Sequence, residues 1–251
     1  MVEPKSWNRY SYSRNDPIDR IDPLGLEDDD VIRLYAWAWM YHSGAGGTGV
    51  RPPQQRLPLD GVGSGEPMPL LDRKEIIAEA VSDVEDILKN KNDCSDFFLG
   101  SQAALIVLAA FAQQLQNSQN IGSIKNPDNS YNTSVGIRQT GVTTNVVDAP
   151  TGTRYRLFPN VNLNANGPFF RSMDIINPGR IGRRLQDIGS TAPGSRRSRA
   201  LQILHELAHL MIDPKTGDPL IPNDGGDDEK SKENTKTIEK ACKAQLKALS
   251  N

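Results

Sequence analysis

Two histidines one helical turn apart are the feature that most constrains this chain. The sequence predicts a helix here, because apolar residues recur at helical spacing at Leu201, Leu204, Ala208 and Met211. On such a helix His205 and His209, at positions i and i+4, share one face, so both imidazoles can reach a single Zn²⁺. The chain contains only 3 histidines, and two of them stand in this pattern. A metal centre built on one helix is therefore predicted.

The motif His205-Glu206-x-x-His209 resembles the signature of the zincin metallopeptidases. The resemblance implies that His205 and His209 are zinc ligands and that Glu206 is the general base that activates a water molecule. The metzincin extension with a third histidine is missing, since residues 211–217 contain none. The only other histidine, His42, lies beyond a segment rich in Gly and Pro, so the third ligand is expected to be a carboxylate.

Several carboxylates downstream of the motif are candidates for that third ligand. Asp224 is favoured, because Gly225 and Gly226 directly after it let the backbone wrap close to a metal. Glu229 and Glu233 stay open as alternatives, since a glutamate on a following helix would also serve. A donor for the oxyanion is expected from Tyr131, Tyr155 or an arginine, and the sequence does not choose among them.

Periodicity along the rest of the chain predicts an α+β domain with a zincin-like layout. A helix is predicted near residues 73–90, and a long buried helix from Cys94 to Gln116. Residues 122–172 indicate about three short strands, and Val161 to Phe170 is predicted to form the edge strand that pairs with a substrate. A C-terminal helix from about Ser231 follows the active-site helix. Its predicted inward stripe comprises Asn234, Ile238, Cys242, Gln245 and Leu249.

The arginines between the strands and the active-site helix admit two interpretations. They are either a patch for an anionic partner or a solvated loop that leads into the helix. The residues concerned are Arg180, Arg183, Arg184, Arg196, Arg197 and Arg199.

The N-terminal segment carries a second resemblance. The stretch Trp7-Asn8-Arg9-Tyr10-Ser11-Tyr12-Ser13-Arg14-Asn15-Asp16-Pro17, followed by Ile21-Asp22-Pro23-Leu24-Gly25-Leu26, is similar to the end of the core of Rhs/YD-repeat proteins. In that family a variable toxin domain follows the Asp-Pro-x-Gly motif. The resemblance implies a core remnant at 1–26 and a toxic cargo after it, with a protein substrate and a cognate immunity protein as partners. The predicted organisation continues with a short helix and a Gly/Pro-rich linker at 27–71 and a metallopeptidase domain at 72–251.

Composition narrows the alternatives. Hydrophobic residues make up 37% of the chain, a low share that agrees with a first segment outside the core. The net charge of -2 disfavours nucleic acid as a partner and, with it, a nuclease. The longest apolar run, Ala103 to Ala112, is too short to span a membrane. The N-terminus lacks the apolar stretch of a secretory signal, so either delivery by a non-classical route or a cytoplasmic location is expected.

Two points stay open at the level of sequence. Cys94 and Cys242 either form a bridge or remain separate buried thiols, and a bridge would suit a domain that works outside a reducing cytosol. The alternative to a zinc metallopeptidase is a non-catalytic interaction module with a degenerate or structural metal site. That alternative predicts a fourth protein ligand that closes the site.

Overall fold

The computed structural model describes residues 70–141, 146–177 and 180–249. Within these ranges the chain is a mixed α+β structure, which agrees with the predicted fold class. The predicted core remnant at 1–26, the short helix after it and nearly all of the linker lie outside the described residues, as does His42.

The described residues form six α-helices and seven short strands. The helices are α1 (Leu70–Leu88), α2 (Asp93–Phe97), α3 (Ser101–Gln116), α4 (Arg196–Leu210), α5 (Asp228–Ala241) and α6 (Lys243–Ala248). The strands are β1 (Ile121–Gly122), β2 (Ile137–Thr140), β3 (Val146–Asp148), β4 (Arg154–Arg156), β5 (Asn160–Asn164), β6 (Met173–Asn177) and β7 (Arg180–Arg184).

Helices α1, α3 and α4 pack together as the centre of the core. Ile77 of α1, Phe111 of α3 and Leu204 of α4 are fully buried in it. Apolar side chains at helical spacing build this core, as the sequence predicts for α1 and α4. No helix of the described ranges is both long and apolar enough to cross a membrane.

Helix α4 is also tied to α1 by ion pairs. The Arg196 guanidinium binds the Asp83 carboxylate through two hydrogen bonds, and Arg199 lies 3.7 Å from a Glu79 oxygen. Arg197 donates to the backbone carbonyl of Leu249 at 2.8 Å. These three arginines stabilise the fold, and both sequence interpretations, an anion-binding patch and a solvated loop, are wrong for them.

The predicted long helix from Cys94 to Gln116 is two helices, and the sequence prediction is wrong on this point. Leu99 and Gly100 adopt left-handed backbone conformations with φ of 62° and 96°, which end α2 and turn the chain into α3. The continuous apolar pattern conceals this break, because the residues on both sides of it are buried. Cys94 and Phe98 are as inaccessible as Val107 in α3.

The β region contains more strands than the three predicted. Strands β1, β5 and β2 form one sheet in that order, with β5 parallel to β1 and antiparallel to β2, and β3 pairs with β4. The prediction that Val161 to Phe170 forms an edge strand is wrong, because the strand in this stretch, β5, lies in the middle of the sheet. Val161 and Leu163 are buried there, which suits a central strand. Among the described residues the edge next to α4 is β2.

The C-terminal helix starts slightly earlier than predicted and is interrupted. It begins at Asp228 and ends at Ala241, with Cys242 as its cap, after which α6 continues the chain. Asn234, Ile238 and Cys242 face inward as predicted. Beyond the interruption Leu246 is the buried residue, because the break rotates the stripe. Gln245 and Leu249 of the predicted stripe are only partly buried, and Leu249 still packs against the core.

Cys94 and Cys242 form a disulfide that joins α2 to the end of α5. The two residues are 148 positions apart, and both are fully buried. The structure thus decides between the two alternatives left open by the sequence in favour of the bridge.

Candidate metal centre

Helix α4 presents both histidines from the core of the molecule. The Ser195 side chain caps its first turn by accepting a hydrogen bond from the backbone N–H of Ser198. The apolar faces of α4 then pack against α1 and α3, so the helix has little freedom to rotate. His205 and His209 are consequently held on one face, with their ring centroids 4.9 Å apart.

The chain after α4 returns to the same place through a series of backbone contacts. The N–H of Ile212 donates to Arg154 of β4 at 3.1 Å, and the N–H of Leu220 donates to Met211 at 3.1 Å. These contacts bring the following loop back beside α4. Gly225 and Gly226, with φ of 61° and 84°, then turn the chain sharply into α5, as only glycine does readily.

Asp224, at the start of this turn, meets the two histidines. Its Oδ2 lies 3.0 Å from Nε2 of His205, and its Oδ1 lies 3.6 Å from Nε2 of His209. The two Nε2 atoms are 3.1 Å apart. The three side chains form a group that could hold a metal ion. Asp224, which the sequence favours as the third ligand, is thus brought together with both predicted histidines.

The donor atoms fit a metal ion in both chemistry and spacing. Thr235 Oγ1 donates to the Ser231 carbonyl at 2.9 Å, so in its 3.0 Å contact with Nδ1 of His205 it is the acceptor. Neutral His205 therefore carries its proton on Nδ1, and its Nε2 lone pair points at the other donors. Electron-rich atoms in such a cluster repel one another unless a cation lies among them. A tetrahedral ion with bonds of about 2.1 Å separates its ligands by about 3.4 Å, which lies within the observed range of 3.0 to 3.6 Å.

In the metal-free protein, the neighbours of His205 in this cluster favour its protonation. Burial by itself lowers the pKa of His205, but the hydrogen bond to Asp224 and the charges of Glu206 and Asp224 raise it above its ordinary value. Burial also raises the pKa of Asp224, and its hydrogen bonds with both histidines more than offset this, so the pKa of Asp224 lies far below its ordinary range.

Glu206 lies beside the group without belonging to it. Its Oε2 accepts a hydrogen bond of 2.7 Å from the Gln139 side-chain amide, and the same amide donates to the Glu206 backbone carbonyl at 3.1 Å. Burial raises the pKa of the Glu206 carboxyl, an effect that its electrostatic interactions with the neighbouring histidines and the hydrogen bond from Gln139 only partly offset. The arrangement thus holds a basic carboxylate in a fixed position next to the three candidate metal ligands.

The other sequence candidates lie elsewhere. Glu229 has an exposed side chain paired with Lys232 at 2.6 Å, and Glu233 is exposed on the outer face of α5. Neither glutamate belongs to the group of donors. Of the two tyrosines, Tyr131 is exposed beneath the Lys125 ammonium, whereas Tyr155 pairs through its backbone with Met211 at the end of α4.

Three residues that contact the site were not predicted to have a role in it. Gln139 touches Glu206 from 67 positions away, and no local pattern signals that contact. Asn234 and Thr235 contact Asp224 and His205 from α5. A polar asparagine on the predicted inward stripe is a signal that could have found Asn234, because buried amides require partners.

Comparisons with known protein families, with curated proteins and with solved structures find no match to this chain.

Proposed function

We propose that this protein is a zinc-dependent metallopeptidase and the toxic cargo of an Rhs-type polymorphic toxin. The observation that carries the proposal is the convergence of His205, His209 and Asp224 with Glu206 on the same helix as the histidines. Two imidazoles and one carboxylate form a ligand set known from catalytic zinc sites.

The number of donors favours a catalytic site over the structural site of the alternative interaction module. Structural zinc sites are closed by four protein ligands, whereas catalytic sites use three and keep one position open. Among the described residues the group has three members. Glu206 next to an open position is an arrangement suited to hydrolysis.

The residues of the chain divide the chemistry of amide hydrolysis among them. Zinc, when bound, supplies Lewis acidity that polarises the scissile carbonyl and makes a water molecule more acidic. Glu206 takes the proton of the attacking water and returns it to the leaving amine. Gln139 holds one oxygen of the Glu206 carboxylate in place, so the other oxygen is available for that transfer.

The position of β2 supports a protein substrate. Its outer edge is unpaired within the part of the chain that the structure describes, and its residue Gln139 contacts Glu206. An extended peptide that adds to this edge would run past the general base.

The proposal of a toxic cargo is supported by the sequence from Trp7 to Leu26 and by the disulfide. A buried bridge suits a protein that crosses an oxidising space on its way to a target. The cargo would be delivered by a non-classical route, and a cognate immunity protein would protect the producing cell. The growth of a bacterial host that expresses the chain, directed either to the cytoplasm or to the periplasm, tests whether the chain is toxic.

The peptidase is tested with purified protein. We expect about one zinc per chain and cleavage of a quenched fluorescent peptide library. Glu206→Gln should lower cleavage by at least about 100-fold while zinc content stays the same, since the change removes the base and keeps the ligands. Glu229→Gln, at an exposed glutamate, is the matched control and should retain full activity. Undiminished cleavage by Glu206→Gln would contradict the proposed mechanism.

A further inference from the structure

The face of α5 turned toward the metal centre is polar where a packed helix is normally apolar. Three residues within this helix are buried, and two of them, Asn234 and Thr235, are polar. Each contacts a different ligand of the metal centre. Because a buried polar side chain is costly unless it is hydrogen-bonded, the use of two such residues in sequence calls for a specific role.

Thr235 controls which nitrogen of His205 carries the proton. Its hydroxyl donates to the Ser231 carbonyl one turn earlier, so its oxygen accepts the Nδ1–H of His205 at 3.0 Å. This bond keeps the lone pair on Nε2 and sets the rotation of the ring. Without it, the buried Nδ1–H would lose its partner, and the alternative tautomer would turn an N–H toward the metal.

Asn234 holds the carboxylate of Asp224 and the loop that carries it. Its amide nitrogen donates to Asp224 Oδ1 and, at 2.8 Å, to the Pro222 carbonyl. One side chain thus fixes both the backbone before Asp224 and one of the two carboxylate oxygens. Asp224 Oδ2 is left facing Nε2 of His205.

We infer that Asn234 and Thr235 are positioning residues that set the metal affinity of the site through Asp224 and His205. The inference rests on the metal centre of the proposed function and does not require the peptidase reaction. Partners of this kind, which orient a ligand and do not touch the metal, typically change metal affinity by about 10- to 100-fold when removed.

The chain offers a matched control for Thr235 on the same helix. Thr237 donates its hydroxyl to the Glu233 carbonyl at 3.0 Å, the same local bond, but it is exposed. Thr235→Val and Thr237→Val therefore remove the same hydroxyl and the same helix contact. Only the first removes the acceptor for His205.

The experiment measures zinc affinity by competition with a chromophoric chelator. We expect Thr235→Val to bind zinc about 10- to 100-fold more weakly, Thr235→Ser to recover most of the loss, and Thr237→Val to match the wild type. The visible spectrum of the cobalt(II)-loaded protein should change in Thr235→Val and not in Thr237→Val, because it reports ligand geometry. Circular dichroism confirms that each variant is folded.

Asn234→Ala provides an independent variant on the Asp224 side and decides the question if Thr235→Val does not fold. It should also weaken zinc binding at least tenfold, because the carboxylate and its loop lose their anchor. Wild-type affinity in both folded variants, or an equal loss in Thr235→Val and Thr237→Val, would overturn the inference. Zinc binding with the expected losses but without peptide cleavage would contradict only the proposed function.

Discussion

Helices α4 and α5 both contribute to the candidate metal centre, but they are held in place by different forces. All but three of the 15 residues of α4 are buried, and most of these are apolar. Within the 14 residues of α5 only Asn234, Thr235 and Ile238 are buried. The two histidines therefore lie on α4, which the hydrophobic core holds in place. Asn234 and Thr235, which contact Asp224 and His205, lie on α5, which is held mainly by a few polar contacts.

The difference explains why α5 needs a covalent anchor. A helix with one buried apolar residue gains little from packing, since each fully buried side chain contributes about 1.5–3 kcal/mol. The disulfide at Cys242 fastens the end of α5 to α2. The Glu239 carboxylate adds a contact by accepting a hydrogen bond from the backbone N–H of Ser190 at 3.1 Å.

Removing the disulfide is expected to give the largest effect. Cys94→Ala/Cys242→Ala should lower the free energy of unfolding by about 3–5 kcal/mol, because the bridge closes a very long loop in the unfolded chain. Denaturant titration of the zinc-free protein measures this loss. Prolonged reduction of the wild type should produce a similar shift, and the same treatment should leave the double variant unchanged. An unchanged denaturation midpoint in the double variant would mean that α5 does not depend on its covalent anchor.

A cavity beside α4 should lower the free energy of unfolding but leave the zinc affinity nearly unchanged. Leu201 is fully buried one turn before His205, and Leu201→Ala should cost about 3 kcal/mol of unfolding free energy. The zinc affinity of the folded variant should stay within about twofold of the wild type, since the rest of α4 still holds the histidines. Leu71→Ala is the control, because Leu71 is 67% exposed and should change stability by less than about 0.5 kcal/mol. A loss of zinc affinity in Leu201→Ala equal to that in Thr235→Val would contradict the division between the helices.

The same contrast governs how far the sequence predicts the structure. Helix α4 follows the pattern of Leu201, Leu204, Ala208 and Met211 closely, because its local periodicity and its packing in the core agree. The glycines after Asp224 also predict the turn that brings this residue to the histidines. Both signals are local, and the structure forms the helix and brings Asp224 to the histidines as these signals indicate.

The errors arise where distant parts of the chain decide the outcome. The break at Leu99 and Gly100 lies inside an apolar run, and periodicity does not reveal a change of direction between two buried helices. The place of β5 in the middle of its sheet depends on pairing with β1 and β2. The contact between Gln139 and Glu206 depends on the same pairing, which sets β2 beside α4.

Lowering the pH by one unit should give the smallest of these effects, a loss of zinc affinity, because protons compete with zinc for Nε2 of His205. In the metal-free protein the pKa of His205 is raised above its ordinary 6.5, mainly by Asp224 acting against the effect of burial. Protonated His205 thus stabilises the metal-free fold below pH 6.5, and this contribution disappears as the pH rises through the raised pKa. The pKa of Asp224 is lowered from 3.8, so its contribution is lost only at far lower pH.

As the pH is lowered, zinc affinity should therefore begin to fall before the pH reaches 6.5 and then decrease about tenfold, or 1.4 kcal/mol, for each further pH unit of acidification. Competition titrations between pH 8 and pH 5 measure the decline, and NMR of the metal-free imidazole locates its onset. In Asp224→Asn the carboxylate charge is gone while the burial of His205 remains, so the ring should titrate at a lower pH than in the wild type. Identical titration of His205 in both proteins would show that the core around α4, and not the loop held by α5, sets the proton affinity of this ligand.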